Sequence, residues 1–81
     1  SSGLEIFPNP VRNELNISLP ELDQAVASQI VVYDLVGKAV MRNTVQGSFS
    51  KLNVGELPAG TYLLSVSQNG QTVTERFVVT K

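Results

Sequence analysis

The sequence has no cysteine, no histidine and no tryptophan, and only two tyrosines, three phenylalanines and one methionine among its 81 residues. Each absence closes a class of chemistry. Without thiols there is no disulfide and no thiolate nucleophile. Without imidazole there is no unperturbed side chain that changes charge near neutral pH, and the usual zinc ligand sets are missing. Charge is sparse as well: 16% of residues, six basic against seven acidic, for a formal net charge of −1. That balance supplies no drive toward nucleic acid or an anionic lipid surface. The longest apolar run is Ile30 to Tyr33, far short of the roughly 18 residues a membrane helix needs. At this length the chain forms one domain, and its apolar residues, 42% of the total, must hold it without a covalent or metal staple. The composition describes a small module that is not an enzyme and uses no cofactor.

What the sequence does contain is a period of two. Leu15, Ile17 and Leu19 alternate with Glu14, Asn16 and Ser18, the pattern of a strand with one face buried and one wet. Tyr62, Leu64 and Val66 alternate with Leu63, Ser65 and Ser67, which turns Leu63 outward. Phe77 and Val79 oppose Arg76, Val78 and Thr80. Carried backward, that phase puts Glu75 beside Val73 and Phe77, where a carboxylate demands a bulge, a sheet edge or a strand end. Ile30 to Tyr33 is apolar on both faces, as in a central strand. Over 39–45 the pattern is weaker, with Ala39, Met41 and Val45 as the core face.

The punctuation is that of strands. Asn69-Gly70 between two alternating runs is a hairpin signal, because a type I′ turn needs positive φ at both central residues. Asp34 to Lys38, with Gly37 near its end, reads as a tight reversal, and Pro58-Ala59-Gly60 as a turn into the next strand. Pro8-Asn9-Pro10 lacks two backbone donors, so it reads as a rigid crossing between a first strand over 4–7 and a second over 14–19. The segment 19–28 reads as a loop or a single helical turn. About seven short strands at this spacing predict an all-β fold, an antiparallel immunoglobulin-like β-sandwich. Ser1-Ser2-Gly3 reads as a linker or tag remnant ahead of a single domain over 4–81.

Three segments together resemble a known family. The first is Ile6-Phe7-Pro8-Asn9-Pro10-Val11, followed by the strand over 14–19. The second is Val32-Tyr33-Asp34-Leu35-Val36-Gly37-Lys38-Ala39-Val40. The third is Leu57-Pro58-Ala59-Gly60-Thr61-Tyr62-Leu63-Leu64, followed by the hairpin and the terminal Arg76-Phe77-Val78-Val79-Thr80-Lys81. In this order they are similar to the C-terminal sorting domains of the bacterial type IX secretion system, and the resemblance runs from Leu4 to Lys81. It implies a domain carried by a larger secreted protein, often a hydrolase or adhesin of the Bacteroidetes. Such a protein crosses the periplasm and is then directed through the outer membrane by the secretion machinery. A sortase-like peptidase commonly removes the domain upstream of its first strand, and the cargo is released or joined to surface lipopolysaccharide. The resemblance assigns recognition to Gly60, Tyr62, Arg76, Phe77, Val78, Val79 and Lys81. The one departure is Phe7, where the family's first motif carries a tyrosine.

Packing makes its own claims on the same residues. Gly60 is structural if it leaves the turn at positive φ, Tyr62 reads as core with its hydroxyl at the rim, and Phe77 and Val79 read as core. Val78 and Lys81 are the positions where recognition separates from folding. One mechanism consistent with this pattern is pairing of a partner with an exposed terminal strand, which also predicts self-association through that edge or through a swapped C-terminal hairpin. Leu57-Pro58-Ala59-Gly60-Thr61 transposes the Gram-positive sortase signal and reads as a turn; Asn16-Ile17-Ser18 is a glycosylation pattern within a strand; Glu21 and Asp23 lack a third ligand for calcium. The alternative reading is an immunoglobulin-like accessory or carbohydrate-binding module of an extracellular enzyme. Phe49, between Ser48 and Ser50, is the ring such a module would expose.

Overall fold

The structure, a computed structural model, describes residues 4–19 and 27–81. The tripeptide 1–3 and most of the segment read as a loop or helical turn, 20–26, lie outside the described residues. The strands are β1 (Glu5–Phe7), β2 (Glu14–Ser18), β3 (Ser28–Tyr33), β4 (Ala39–Val45), β5 (Phe49–Asn53), β6 (Gly60–Gln68) and β7 (Gln71–Val79). They form a three-stranded sheet in the order β1-β2-β5 and a four-stranded sheet in the order β4-β3-β6-β7, with every strand pair antiparallel. This is the expected immunoglobulin-like sandwich. Its fourth strand lies against β3 in the second sheet, instead of joining the first sheet as in constant-type domains.

The core is where the alternating residues meet. Leu15 and Ile17 of β2 face Ile30 and Val32 of β3, Leu64 and Val66 of β6, and Phe77 and Val79 of β7, all essentially closed to water. Each such side chain contributes about 1.5–3 kcal/mol on burial. Leu19, Val54 and Leu57, just outside the strands, complete the core from the loops. Its far end is closed by a buried polar pair, Gln68 Nε2 donating to Ser28 Oγ at 3.1 Å.

Local chemistry sets the register. Asn69 and Gly70 have φ of 51° and 80°, the type I′ geometry that lets Gln68 face Gln71 across the hairpin. Leu63 lies on the outer face, opposite Arg76, as the alternation requires. Glu75 stands opposite Leu64 without any break in register; it is half-buried and tolerated because β7 is an edge strand.

Two expectations are corrected. The pairing of β3 with β4 slips between Val32 and Tyr33, so that Met41 faces Val32 but Ala39 faces Tyr33. The bulge turns Val40 as well as Met41 against the core and takes Ala39 out of the predicted core face. Phe49 is not alone as an exposed ring: Phe7 is 47% exposed on the outer side of the small sheet as well.

Candidate functional site

β1, β3 and β5 end, and β6 begins, at one pole of the sandwich; β7 finishes there too, with Val79 opposite Gly60. The connections at that pole are the Pro8–Asn13 crossing, the 34–38 turn, the 54–59 corner and the terminal Thr80-Lys81. All three motif segments of the sequence therefore converge on one end of the molecule, although they lie far apart along the chain.

The crossing does more than connect. Asn9 reaches β7, its Nδ2 donating to the Arg76 carbonyl (3.3 Å) and its Oδ1 accepting from the Val78 amide (3.0 Å). Val11 then runs parallel to Val79: its amide donates to the Val78 carbonyl, and its carbonyl accepts from the Thr80 amide, both at 2.8 Å. Val11 itself is buried. Both prolyl bonds of the segment, Phe7-Pro8 and Asn9-Pro10, are cis. The chain thus spans the two sheets, pairing with β2 through β1 and with β7 through this strap. The mechanism built on an open terminal edge is corrected here. Between Arg76 and Thr80 the outer edge of β7 is already occupied. By alternation Thr72 and Thr74 also point their backbone groups outward, and there nothing among the described residues pairs with them.

The corner is built on Tyr62. Its ring stacks on Phe77 (centroids 5.8 Å apart, planes 27° apart), and its hydroxyl donates to the Pro58 carbonyl at 2.6 Å. A tyrosine near the start of this strand that bonds back to backbone a few residues upstream is the tyrosine corner of immunoglobulin-like sandwiches. Gly60 leaves the corner at φ 158°, positive but near full extension, and a Cβ added there would meet no heavy atom within 4 Å. At the tail, Lys81 Nζ donates to the Gly55 carbonyl, closing the terminus onto the same corner. A further bond, from the Val54 amide to the Asn13 carbonyl at 2.7 Å, joins the corner to the crossing.

The seven residues assigned to recognition thus fall into two groups. Gly60, Tyr62, Phe77 and Val79 are framework of the pole, with the last three buried. Arg76 and Val78 lie on the outer face of the four-stranded sheet, Arg76 exposed and Val78 half-buried, and Lys81 is exposed at the tail. The core role of Val11 has no signal in the sequence, because a valine between two prolines and Arg12 belongs to no alternating run. Leu35 and Val36, quoted only as part of a motif, stand 69% and 87% exposed at the tip of the 34–38 turn.

The double duty of Tyr62 has a measurable consequence. Tyr62→Phe removes one hydrogen bond and should cost about 0.5–1.5 kcal/mol in urea denaturation. Tyr62→Ala also removes the ring from the Phe77 stack and should cost about 3–5 kcal/mol, most of the stability available to a domain of this size. Equal losses in the two variants would contradict the packing role of the ring.

Comparison with known proteins agrees with this geometry. The model of the secretion system C-terminal sorting domain matches residues 5–80. An endo-acting ulvan lyase of Formosa agariphila is 23% identical over 82 residues, covering all of this chain but 15% of the lyase. Among solved structures, PorZ, an essential surface component of the type IX secretion system of Porphyromonas gingivalis, superposes with a TM-score of 0.69 at 18% identity. That match covers 98% of this chain and 12% of PorZ, and it shows a shared fold. The chain spans about a seventh or less of either protein. With a family match over nearly its whole length, the chain belongs to the type IX secretion C-terminal sorting domains.

Proposed function

We propose that residues 4–81 act as a folded address, preceded by a linker at 1–3, that carries a passenger from the periplasm through the outer membrane to the cell surface or beyond. A sorting domain is not itself catalytic; the passenger in this reading is a secreted enzyme, and the relative that carries a similar segment is a lyase. A sortase-like peptidase would cut upstream of β1, which places the cut on the cargo side of the strap. The observation that carries the reading is the family match over residues 5–80, joined to the convergence of all three motif segments on one pole. Within that pole, Gly60, Tyr62, Phe77 and Val79 act by holding the shape that is read, and Arg76, Val78 and Lys81 by contact. Self-association, in this reading, is confined to the unpaired stretch of β7 around Thr72 and Thr74 or to a swapped β6–β7 hairpin.

The test is export. The 81-residue chain is fused behind a periplasmic reporter in a host with the type IX system, and the reporter is assayed outside the cell. Lys81→Ala should lower export while changing the melting temperature little, since Lys81 is exposed and contributes one surface contact worth less than about 1 kcal/mol. A folded chain that leaves the reporter in the periplasm would refute the reading.

One observation favours a second reading, the carbohydrate-binding module. On the outer face of the small sheet, Phe7 and Phe49 are 47% and 50% exposed, and their rings meet over β2 with centroids 6.3 Å apart. Asn16, whose Nδ2 donates to the Phe7 carbonyl, and the exposed Lys51–Glu14 ion pair (3.8 Å) supply polar groups on the same face. A glycan array should show binding that Phe49→Ala abolishes if this face serves sugars; no binding by the parent chain would dispose of it.

A further inference from the structure

The 34–38 turn is built with care and then capped with the wrong residues for water. Asp34 makes it: its Oδ1 accepts from the amides of Val36 (3.0 Å) and Lys38 (2.9 Å), its backbone amide donates to the Lys38 carbonyl (2.9 Å), and its carbonyl accepts from Gly37 (3.1 Å). Gly37 supplies the positive φ, 89°, that closes the loop. Nothing in this arrangement asks for aliphatic side chains at the two central positions, where polar residues, proline and glycine are usual. Yet Leu35 and Val36 occupy them, 69% and 87% exposed, and Val36 is the most exposed large hydrophobic side chain among the described residues. A rigid tip that holds two aliphatic groups in water is an interaction feature, because little ordering entropy remains to be lost on binding.

The tip does not stand alone. Behind it the outer face of the four-stranded sheet carries Tyr33 opposite Leu63, with Val78 beside them on β7 opposite Thr61, all half-buried. Among the described residues, the charged side chains on the outer face of these strands are basic. Arg42 lies opposite Val31 and Arg76 opposite Leu63, and the exposed Lys38 sits at the base of the tip. Of the described carboxylates only Asp34 lies at the tip, where its Oδ1 is held by the Val36 and Lys38 amides. Glu5 and Glu14 are on the outer face of the other sheet, Glu56 is in the β5–β6 loop, and Glu75 is on the core-facing side of β7.

We infer that Leu35 and Val36, with the Tyr33–Leu63–Val78 face behind them, dock into an apolar cleft of a protein partner whose rim is acidic. The acidic rim follows from charge complementarity with Arg42, Arg76 and Lys38. A lipid surface is the poorer occupant: two aliphatic side chains without a polybasic cluster supply only part of what stable membrane attachment needs. The inference rests on the sorting-domain reading, since the partner is the export machinery, and it names the contact that reading leaves open.

The experiment uses the same reporter fusion of the full chain. In the double variant Leu35→Ser/Val36→Ser both side chains already face water, so the melting temperature should stay put while export falls about tenfold or more. Arg42→Glu/Arg76→Glu should lower export likewise, and Arg42→Lys/Arg76→Lys should retain most of it. Should the serine variant prove unfolded, the charge-reversal and charge-keeping pair decides alone. Parental export from both the serine and the glutamate variants would overturn the proposal, and with it the contact role of Arg76, while export of the parent chain still upholds the sorting function; a parent chain that is never exported defeats that function first. Flotation with phosphatidylethanolamine–phosphatidylglycerol vesicles completes the set: binding by the parent that the serine variant loses would make lipid the occupant and overturn the protein cleft.

Discussion

The structure depends on a single stitch between its two sheets: the backbone of Val11 laid alongside Val78 and Thr80, reinforced by the side chain of Asn9. A sandwich of 81 residues without cysteine has little stability to spare, and an edge strand is where such a fold would fray. Pro8 and Pro10 surrender two backbone donors in this segment, and Asn9 and Val11 supply the groups that β7 needs. The stitch also buries Val11 against the core, so polar pairing and apolar burial act at the same place.

From that stitch follows a view of how a folded domain serves as an address. The motif residues are spread over three segments, and folding gathers them at one pole. Several are committed to building it: Tyr62 to the corner, Phe77 to the stack beneath it, Val79 to its pairing with Gly60 and Val11. In the proposed reading the exposed groups, Lys81 at the tail, Leu35 and Val36 at the turn tip and Arg76 on the adjoining sheet face, touch the partner. Truncating the terminal strand therefore removes framework and contact together, and loss of export after such a truncation does not distinguish them.

Much of this was legible in the residues and part was not, for reasons that are physical. β2 and β7 alternate because each has one wet face, and Asn69-Gly70 announces its turn by a conformation few residue pairs adopt. β5 is nearly silent, since Leu52 is its one buried side chain. Alternation failed in β4 because a bulge sends two successive residues, Val40 and Met41, toward the core. The strap read correctly as a rigid crossing, but its partner lies 67 residues away from Asn9, a distance at which no local pattern speaks. For the same reason the terminal edge looked open when its last residues are paired. The family resemblance located the pole's residues; only the fold separates those that build it from those that face outward.

Native-state hydrogen exchange probes the stitch directly, because β7 carries its own internal reference. Val78 and Thr80 point their amides to the same outer edge as Thr72 and Thr74, and among the described residues only the first two meet an acceptor there. The Val78 and Thr80 amides should exchange about 100-fold or more slowly relative to those of Thr72 and Thr74. If all four exchange alike, at the rate of unpaired edge amides, the strap does not hold and the account built on it fails.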